Sequence, residues 1–214
     1  MHQTRIPYPF YILHGEESLS DAVELYLKGS HRIAITDDDG DIIGVISQWT
    51  IANYLSTVPT DDKEWIPTLR EPVGQSRFTT DNVISIDKNR KTIEAFMEMH
   101  SNKLSSLAVV DDNGKLWGNL SASDLKGFQL FFDNFEDLFR PVSEFLSTIR
   151  KMQGRPENFV VCVKNDTPVK DIVSRFNEDI IHRVYVVDNE GKPTGVFSLT
   201  NLMRGLIVDT HASS

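Results

Sequence analysis

Three segments of this chain share one pattern, and that internal repeat limits the fold to copies of a single unit. They are residues 31–44, HRIAITDDDGDIIG; residues 105–118, SSLAVVDDNGKLWG; and residues 182–195, HRVYVVDNEGKPTG. Each holds a short apolar run, an acidic turn ending at Gly40, Gly114 or Gly191, and a second glycine four positions later. The β-branched runs predict strands. The Asp/Asn/Gly clusters predict hairpin turns, in which glycine accepts a positive φ without a Cβ clash. An apolar tail and a serine follow each second glycine: Ser47, Ser121 and Ser198. Each serine is placed to cap a helical pattern, at residues 50–55, 123–128 and 200–207.

Upstream of each hairpin lies a helix-spaced segment. It is marked by Leu19, Val23, Tyr26 and Leu27 in the first unit. Ile93, Phe96, Met97 and His100 mark the second, and Val169, Ile172, Val173 and Phe176 the third. Short strands are expected before these helices at residues 10–13, 83–86 and 159–163. The unit is therefore β-α-β-β-α three times over, an α/β (α+β) class in which helices pack on sheets. The expected division is repeat one at 8–56, a linker at 57–78, repeat two at 79–128, a helical linker at 129–152 and repeat three at 153–209. The first linker carries Pro59, Pro67 and Pro72, with Trp65 as an anchor. The second holds Phe128, Phe131, Phe132, Phe135, Leu138 and Phe139, a break at Pro141, then Val142, Phe145, Leu146 and Ile149. This stripe reads as two amphipathic helical pieces packing into a core, with a partner-docking surface as the alternative.

Composition excludes several classes. A formal net charge of −9 argues against general nucleic-acid binding, although a few local cations and helix N-termini can still hold a phosphate. No apolar run is long enough to span a bilayer, and residues 1–10 lack the pattern of a signal peptide, so no membrane association is expected. Cys162 is the single cysteine and reads as a core residue of an apolar strand. With no disulfide possible, a reducing compartment is expected: the cytoplasm, with the nucleus as the alternative. The six histidines are scattered without a zinc motif. The run Asp37, Asp38, Asp39, Gly40 lacks the glutamate that an EF-hand needs at loop position 12, where Gln48 stands, so it reads as a hairpin turn.

At these residues the pattern resembles the cystathionine-β-synthase (CBS) repeat, and in particular the AMP-activated protein kinase gamma subunits with their plant and fungal relatives. Residues 182–203, HRVYVVDNEGKPTGVFSLTNLM, resemble that family's fourth repeat. Residues 103–125, KLSSLAVVDDNGKLWGNLSASDL, resemble the third, and residues 31–51, HRIAITDDDGDIIGVISQWTI, the second. Residues 141–150, PVSEFLSTIR, resemble the helix before the fourth repeat. In that registration the first of four repeats is missing. The resemblance implies that repeats two and three pair through their sheets as a Bateman module, with ligands in the clefts. Repeat one is then left with an open apolar face, which implies a homodimer, a missing segment or another subunit.

The resemblance also implies nucleotide-binding residues. The family's motif is complete only at Gly118, Ser121, Ser123 and Asp124. Asp124 is the expected ribose ligand, and Ser121 and Ser123 the phosphate-facing hydroxyls. The competing reading makes Asp124 an acidic residue in a helix's first turn. In repeat three Thr200 keeps the hydroxyl, but Asn201 replaces the aspartate and lacks its charge. In repeat one Thr50 and Trp49 replace the motif, and no ribose site is expected. The pairs His31-Arg32 and His182-Arg183 resemble phosphate contacts, with a surface pair as the alternative; Lys103 is the nearest cation in repeat two. Thr79 or Thr80, and residues 158–161 including Val160 and Val161, match the adenine-side segments.

The resulting expectation is a non-enzymatic regulatory protein with no cofactor, binding AMP, ADP or ATP as an energy-sensing, gamma-like subunit. Its expected partners are protein kinase catalytic and beta-type subunits. The rival reading is a CBS scaffold or interaction module with degenerate ligand sites. An enzyme would need a site that no motif marks.

Overall fold

The computed structural model describes residues 10–59, 66–75, 77–126 and 135–207. Trp65, Phe128, Phe131 and Phe132 lie outside them. Repeat one runs β1 (Tyr11–His14), α1 (Leu19–Leu27), β2 (Arg32–Thr36), β3 (Ile42–Ser47), α2 (Gln48–Thr57). A short helix α3 (Ile66–Leu69) and a 3-10 turn (Val73–Gln75) follow. Repeat two runs β4 (Ser85–Asp87), α4 (Thr92–Ser101), β5 (Ser106–Val110), β6 (Leu116–Ser121) and a helical turn that begins at Asp124. A 3-10 turn (Phe135–Phe139) and α5 (Val142–Met152) lead into repeat three. That repeat is β7 (Cys162–Val163), α6 (Val169–Glu178), β8 (Arg183–Val187), β9 (Pro193–Ser198) and α7 (Leu199–Ile207).

Each repeat forms its own three-stranded sheet in sequence order. The first strand of each sheet is parallel to the second, and in repeats one and two the third strand returns antiparallel. One local device closes all three hairpins. The leading aspartate accepts two backbone N–H groups of its own turn: Asp37 Oδ1 from Asp39 and Asp41, Asp111 Oδ1 from Asn113 and Lys115, Asp188 Oδ1 from Glu190 and Lys192. The following glycines have φ of 84°, 74° and 85°, which a Cβ would strain. The amide bonds, led by those from Lys115 and Lys192, hold the Asp111 and Asp188 carboxyls below the usual carboxylate range. Asp37 is thus a turn-closing acceptor.

The described residues form two compact units. The first takes residues 1–80, 165–184 and 197–214. In it α1 packs on α7, and α2 on α6 and α7. Phe197 is fully buried, stacked on Phe176 with centroids 5.6 Å apart and tilted against Phe78 at 5.8 Å. Gly205 permits this: a Cβ there would stand 1.8 Å from the Phe78 ring. Lys170 Nζ and Asn177 Nδ2 tie α6 to the end of α2 by donating to the Val58 carbonyl (3.0 Å) and the Ser56 hydroxyl (2.9 Å).

The second unit takes residues 81–164 and 185–196. Its core joins Ala95, Met99, Leu107, Val109 and Leu120 to Leu138, Val142, Phe145, Leu146 and Ile149. The 129–152 stripe therefore divides. Its α5 half is core, as expected, whereas Phe135 and Phe139 are exposed. They sit in a short 3-10 turn that directs only Leu138 inward. The core expectation for Cys162 is also corrected. The thiol is exposed, because β7 is a two-residue edge strand and alternation turns position 162 outward. Among the described residues no helix is long and apolar enough to cross a membrane, and no cluster is arranged to hold a metal ion.

The linkers are built into the units. The Val73 N–H donates to the Thr167 carbonyl (2.9 Å) and the Val169 N–H to the Glu71 carbonyl (3.0 Å), so the segment before repeat two latches the start of α6. The Thr92 N–H donates to the Arg140 carbonyl and the Val142 N–H to the Arg90 carbonyl, both at 2.9 Å, so the segment before repeat three latches the start of α4. Each latch contains a Pro-Val pair, Pro72-Val73 or Pro141-Val142. Each serves the helix of the other repeat.

Candidate functional site

The residues singled out in sequence as ribose ligands share one local role. Each stands three residues after the serine that ends its hairpin, and its side chain reaches back to that serine. In repeat one Thr50 and Ser47 exchange bonds, with the Ser47 N–H donating to Thr50 Oγ1 (3.2 Å) and the Thr50 N–H to Ser47 Oγ (3.3 Å). In repeat two Asp124 Oδ2 accepts from the Ser121 N–H (2.8 Å) and the Ser121 hydroxyl (2.9 Å). In repeat three Asn201 Oδ1 accepts from the Ser198 N–H (3.1 Å) and the Ser198 hydroxyl, and the Asn201 N–H returns to Ser198 Oγ (3.2 Å). The position thus completes a capping box in repeats one and three, and in repeat two supplies the half in which the side chain takes the serine's N–H, before any ligand is considered.

What distinguishes repeat two is the second oxygen of its carboxylate. Arg150 Nη1 donates to Asp124 Oδ1 at 2.9 Å, and Arg150 Nη2 lies 3.4 Å from Oδ2. Both side chains are nearly sealed from solvent, at 9% and 5% exposure. The guanidinium also donates to the Asn119 carbonyl (2.9 Å) and to Gln153 Oε1 (3.0 Å). Asn119 in turn accepts the Tyr185 hydroxyl on Oδ1 (2.8 Å), which fixes β6 of repeat two against β8 of repeat three. Beside the pair, the Ser121 and Ser123 hydroxyls bond to each other at 2.7 Å, and Ser123 is exposed. The result is a turn offering hydroxyls at the surface above a neutralised, buried carboxylate.

Arg150 was absent from the sequence-derived site. Its signal lay in the spacing: Val142, Phe145, Leu146 and Ile149 form an apolar helical face, and position 150 continues that face with a cation. A cation on such a face calls for a buried anion.

The other expected residues are placed as follows. Asn201 Nδ2 donates to Thr80 Oγ1 at 3.1 Å, so Thr80, read as serving repeat two, lies on the carboxamide of repeat three. Thr79 is half-buried one residue before it. Thr200 is exposed, with Oγ1 3.4 Å from Gln48 Oε1. The Val161 carbonyl accepts from the Tyr185 N–H (3.0 Å), and Val160 is half-buried beside it. Lys103 is exposed and holds the left-handed conformation (φ 54°) that ends α4, the role Gly29 (φ 96°) has after α1. His31 and Arg32 are exposed at the start of β2, and Arg183 is half-buried at the start of β8.

The carbonyl of His182 accepts from the Leu199 N–H, and the residue is exposed just before β8. Burial, with a smaller contribution from the Arg183 charge, pushes the imidazole below its usual pKa of 6.5. Folding therefore favours the neutral ring. Its stabilising effect is complete above 6.5 and is lost as pH falls from 6.5 through the depressed folded value. Melting temperature followed on the acid side of 6.5 is expected to fall less steeply for His182→Gln than for the wild type.

A threefold β-α-β-β-α chain, with each hairpin closed by an aspartate and followed by a serine bonded to the side chain three residues on, defines a tandem-repeat α/β scaffold. The family model described as CBS domain matches residues 5–57, 76–130 and 156–208, and the chain belongs to this family, with three CBS repeats. Among curated relatives, Protein SDS23 of Candida albicans is 29% identical over 200 residues, which cover 89% of this chain and 31% of that protein. The chain spans about a third of the length of the curated relatives it matches. Protein MJ1225 of Methanocaldococcus jannaschii, a candidate archaeal homolog of g-AMPK, shares the fold at a TM-score of 0.62. It is 19% identical, and the likeness covers 90% of this chain and 66% of that one. The CBS domain pair of MJ0100, solved in complex with 5'-methylthioadenosine and S-adenosyl-L-methionine, aligns at 0.50. It is 19% identical, with coverage of 63% and 94%.

Proposed function

We propose that the chain is a non-catalytic regulatory module that binds an adenine nucleotide, AMP, ADP or ATP, at the Ser121, Ser123, Asp124 turn of repeat two. The observation that supports this most is the company the Asp124 carboxylate keeps. The Ser121 hydroxyl and a guanidinium bond it, with the Ser123 hydroxyl on Ser121 beside it; these are the donor types that phosphate takes, and a carboxylate is the acceptor that a ribose diol takes. Asp124 Oδ1 receives one bond from Arg150, which leaves it capacity for a ribose hydroxyl. The adenine ligands of the MJ0100 pair favour the same ligand class. The likeness to a candidate g-AMPK homolog favours a gamma-like role beside kinase catalytic and beta-type subunits. Binding would regulate such a partner only by favouring one of two arrangements that differ in affinity.

The Arg150 contact also favours a second reading, a scaffold whose ligand sites have lapsed. A carboxylate already paired and capped has a complete structural role, and Thr50 and Asn201 have no carboxylate at all. Calorimetry separates the two. The wild type is expected to bind AMP or ATP, and Asp124→Asn, which keeps the turn's cap but leaves Arg150 without its counter-charge and is compared only where its melting curve shows it folded, to bind about tenfold more weakly. Ser123→Ala removes an exposed hydroxyl and keeps the fold, so a loss of phosphate-dependent affinity there cannot be ascribed to unfolding. A folded wild type that gives no heat with either nucleotide leaves the scaffold reading.

A further inference from the structure

The two Pro-Val latches are one device built twice, and the second has a chemistry that the first lacks. In the first, the N–H groups of Val73 and Gly74 donate to the Thr167 and Asn165 carbonyls, and that of Val169 to the Glu71 carbonyl. In the second, Val142, Ser143 and Thr92 donate in the same order to Arg90, Lys88 and Arg140. Position by position, Arg140 therefore stands for Glu71, Lys88 for Asn165 and Ser143 for Gly74. A Cβ at Gly74 would lie 2.6 Å from Asn165 Cβ, so the first latch is filled by its own amide side chain. The second carries two cations and a hydroxyl instead, and a cleft of about 580 Å³ opens beside it. That volume is typical of small-ligand sites.

The cleft has two chemically distinct ends. Lys88, Arg140 and Ser143 line it at the start of α5. Lys88 Nζ is 3.5 Å from Asp112 Oδ2, and Arg140 Nη2 is 2.7 Å from Asp137 Oδ1. Each cation keeps further N–H donors, and such surface pairs are readily shared with a ligand. The Ser143 hydroxyl has no partner among the described residues. One helical turn further along α5, about 6 Å, the Ser147 hydroxyl donates to Glu157 Oε2 at 3.1 Å. Glu157 Oε1 and the Glu144 carboxylate have no partner among the described residues, and Trp117 completes the wall. An anion alone would meet Glu144 and Glu157, and a cation alone would meet Lys88 and Arg140. A ligand that carries both signs satisfies the whole lining.

We propose that this cleft binds a basic amino acid, arginine or lysine. Its α-carboxylate accepts from Lys88, Arg140 and the Ser143 hydroxyl, and its α-ammonium donates to Glu144. Its side-chain cation lies on Glu157 with the Trp117 indole beside it. The extended side chain of either amino acid bridges the helical turn between the two ends. The site is separate from the Asp124 turn, because Ser143 and Arg150 stand at opposite ends of α5, about 10 Å apart along its axis.

Titration of the full chain with L-arginine or L-lysine, followed through the Trp117 indole N–H and the α5 amides by heteronuclear NMR, tests the assignment. Saturable shifts are expected at Trp117, at Glu157 and from Ser143 to Thr148. Agmatine, which lacks the carboxylate, and citrulline, which lacks the side-chain charge, are each expected to bind at least about tenfold more weakly than arginine. Lys88→Asn combined with Arg140→Glu installs the side chains of the first latch, and is expected to melt like the wild type and to lose at least about tenfold in affinity. Glu157→Gln, at an exposed position, is expected to keep the fold and to lose affinity for arginine to the same degree. The absence of saturable shifts with both amino acids overturns the proposal. So does agmatine or citrulline binding as tightly as arginine, and so does undiminished arginine binding by Glu157→Gln.

Discussion

Replacing Arg150 with alanine is expected to destabilise the second unit by about 3–5 kcal/mol. The guanidinium and the Asp124 carboxylate are both almost fully removed from water, and each is the other's counter-charge at 2.9 Å. Truncating one leaves the other buried and uncompensated, which costs more than the intact pair contributes. The Asn119 carbonyl and Gln153 lose a donor at the same stroke. Arg150→Lys is expected to fall between, because an ammonium cannot fork across Asp124 and Asn119 together. The double variant Arg150→Met with Asp124→Asn keeps the helix cap and removes both charges, so it is expected to lose less than the two single changes summed. Denaturant unfolding of a protein carrying Trp49→Phe and Trp65→Phe, followed through Trp117, which packs against that core, reads the unit. An Arg150→Ala protein within about 0.5 kcal/mol of the wild type would mean that the pair is incidental.

Phe197→Ala is expected to cost about 3–5 kcal/mol in the first unit. Phe197 is fully buried and lies between Phe176 and Phe78, so its removal opens a ring-sized void whose walls are themselves aromatic. The walls are held from behind: Arg77 Nε donates to the Gly205 carbonyl (2.9 Å), and the Phe78 ring sits against Gly205 itself. Collapse to fill the void is therefore restricted, which places the cost toward the upper end. Phe197→Leu keeps most of the volume and is expected to cost under about 1.5 kcal/mol. Chemical denaturation of the three proteins gives the values. A Phe197→Ala loss below about 1 kcal/mol would show that the cluster is loosely packed.

The hairpins were legible in the sequence because their chemistry is local. The aspartate, the turn amides and the glycine lie within five residues, and the same code is written three times. The capping serines were legible for the same reason. What escaped joins distant residues. Asn201 meets Thr80 across 121 positions, and Arg150 meets Asp124 across 26, so neither shows as a spacing. The first linker read as a polar connector and the second as a helical stripe, and neither showed its latch, because an extended Pro-Val pair has no periodicity of its own. Its partner is the first turn of a helix far along the chain. Cys162 was misread because an apolar run says which residues alternate and not which parity faces inward; in a two-residue edge strand nothing nearby settles it.

Asp124 shows why a motif needs its surroundings. The sequence raised two readings of this residue, ribose ligand and first-turn acid. Its Oδ2 caps the helix and its Oδ1 holds Arg150, so the structural role is real whether or not a ligand comes. Nucleotide binding then depends on the remaining lone pair and on the hydroxyls beside it.

Hydrogen–deuterium exchange of the full chain with and without AMP addresses that dependence most directly. Binding through this turn predicts added protection in the segment spanning Asn119 to Lys126 and at the end of α5 around Arg150. Unchanged exchange there, with nucleotide present in excess or with protection appearing only elsewhere, would contradict it.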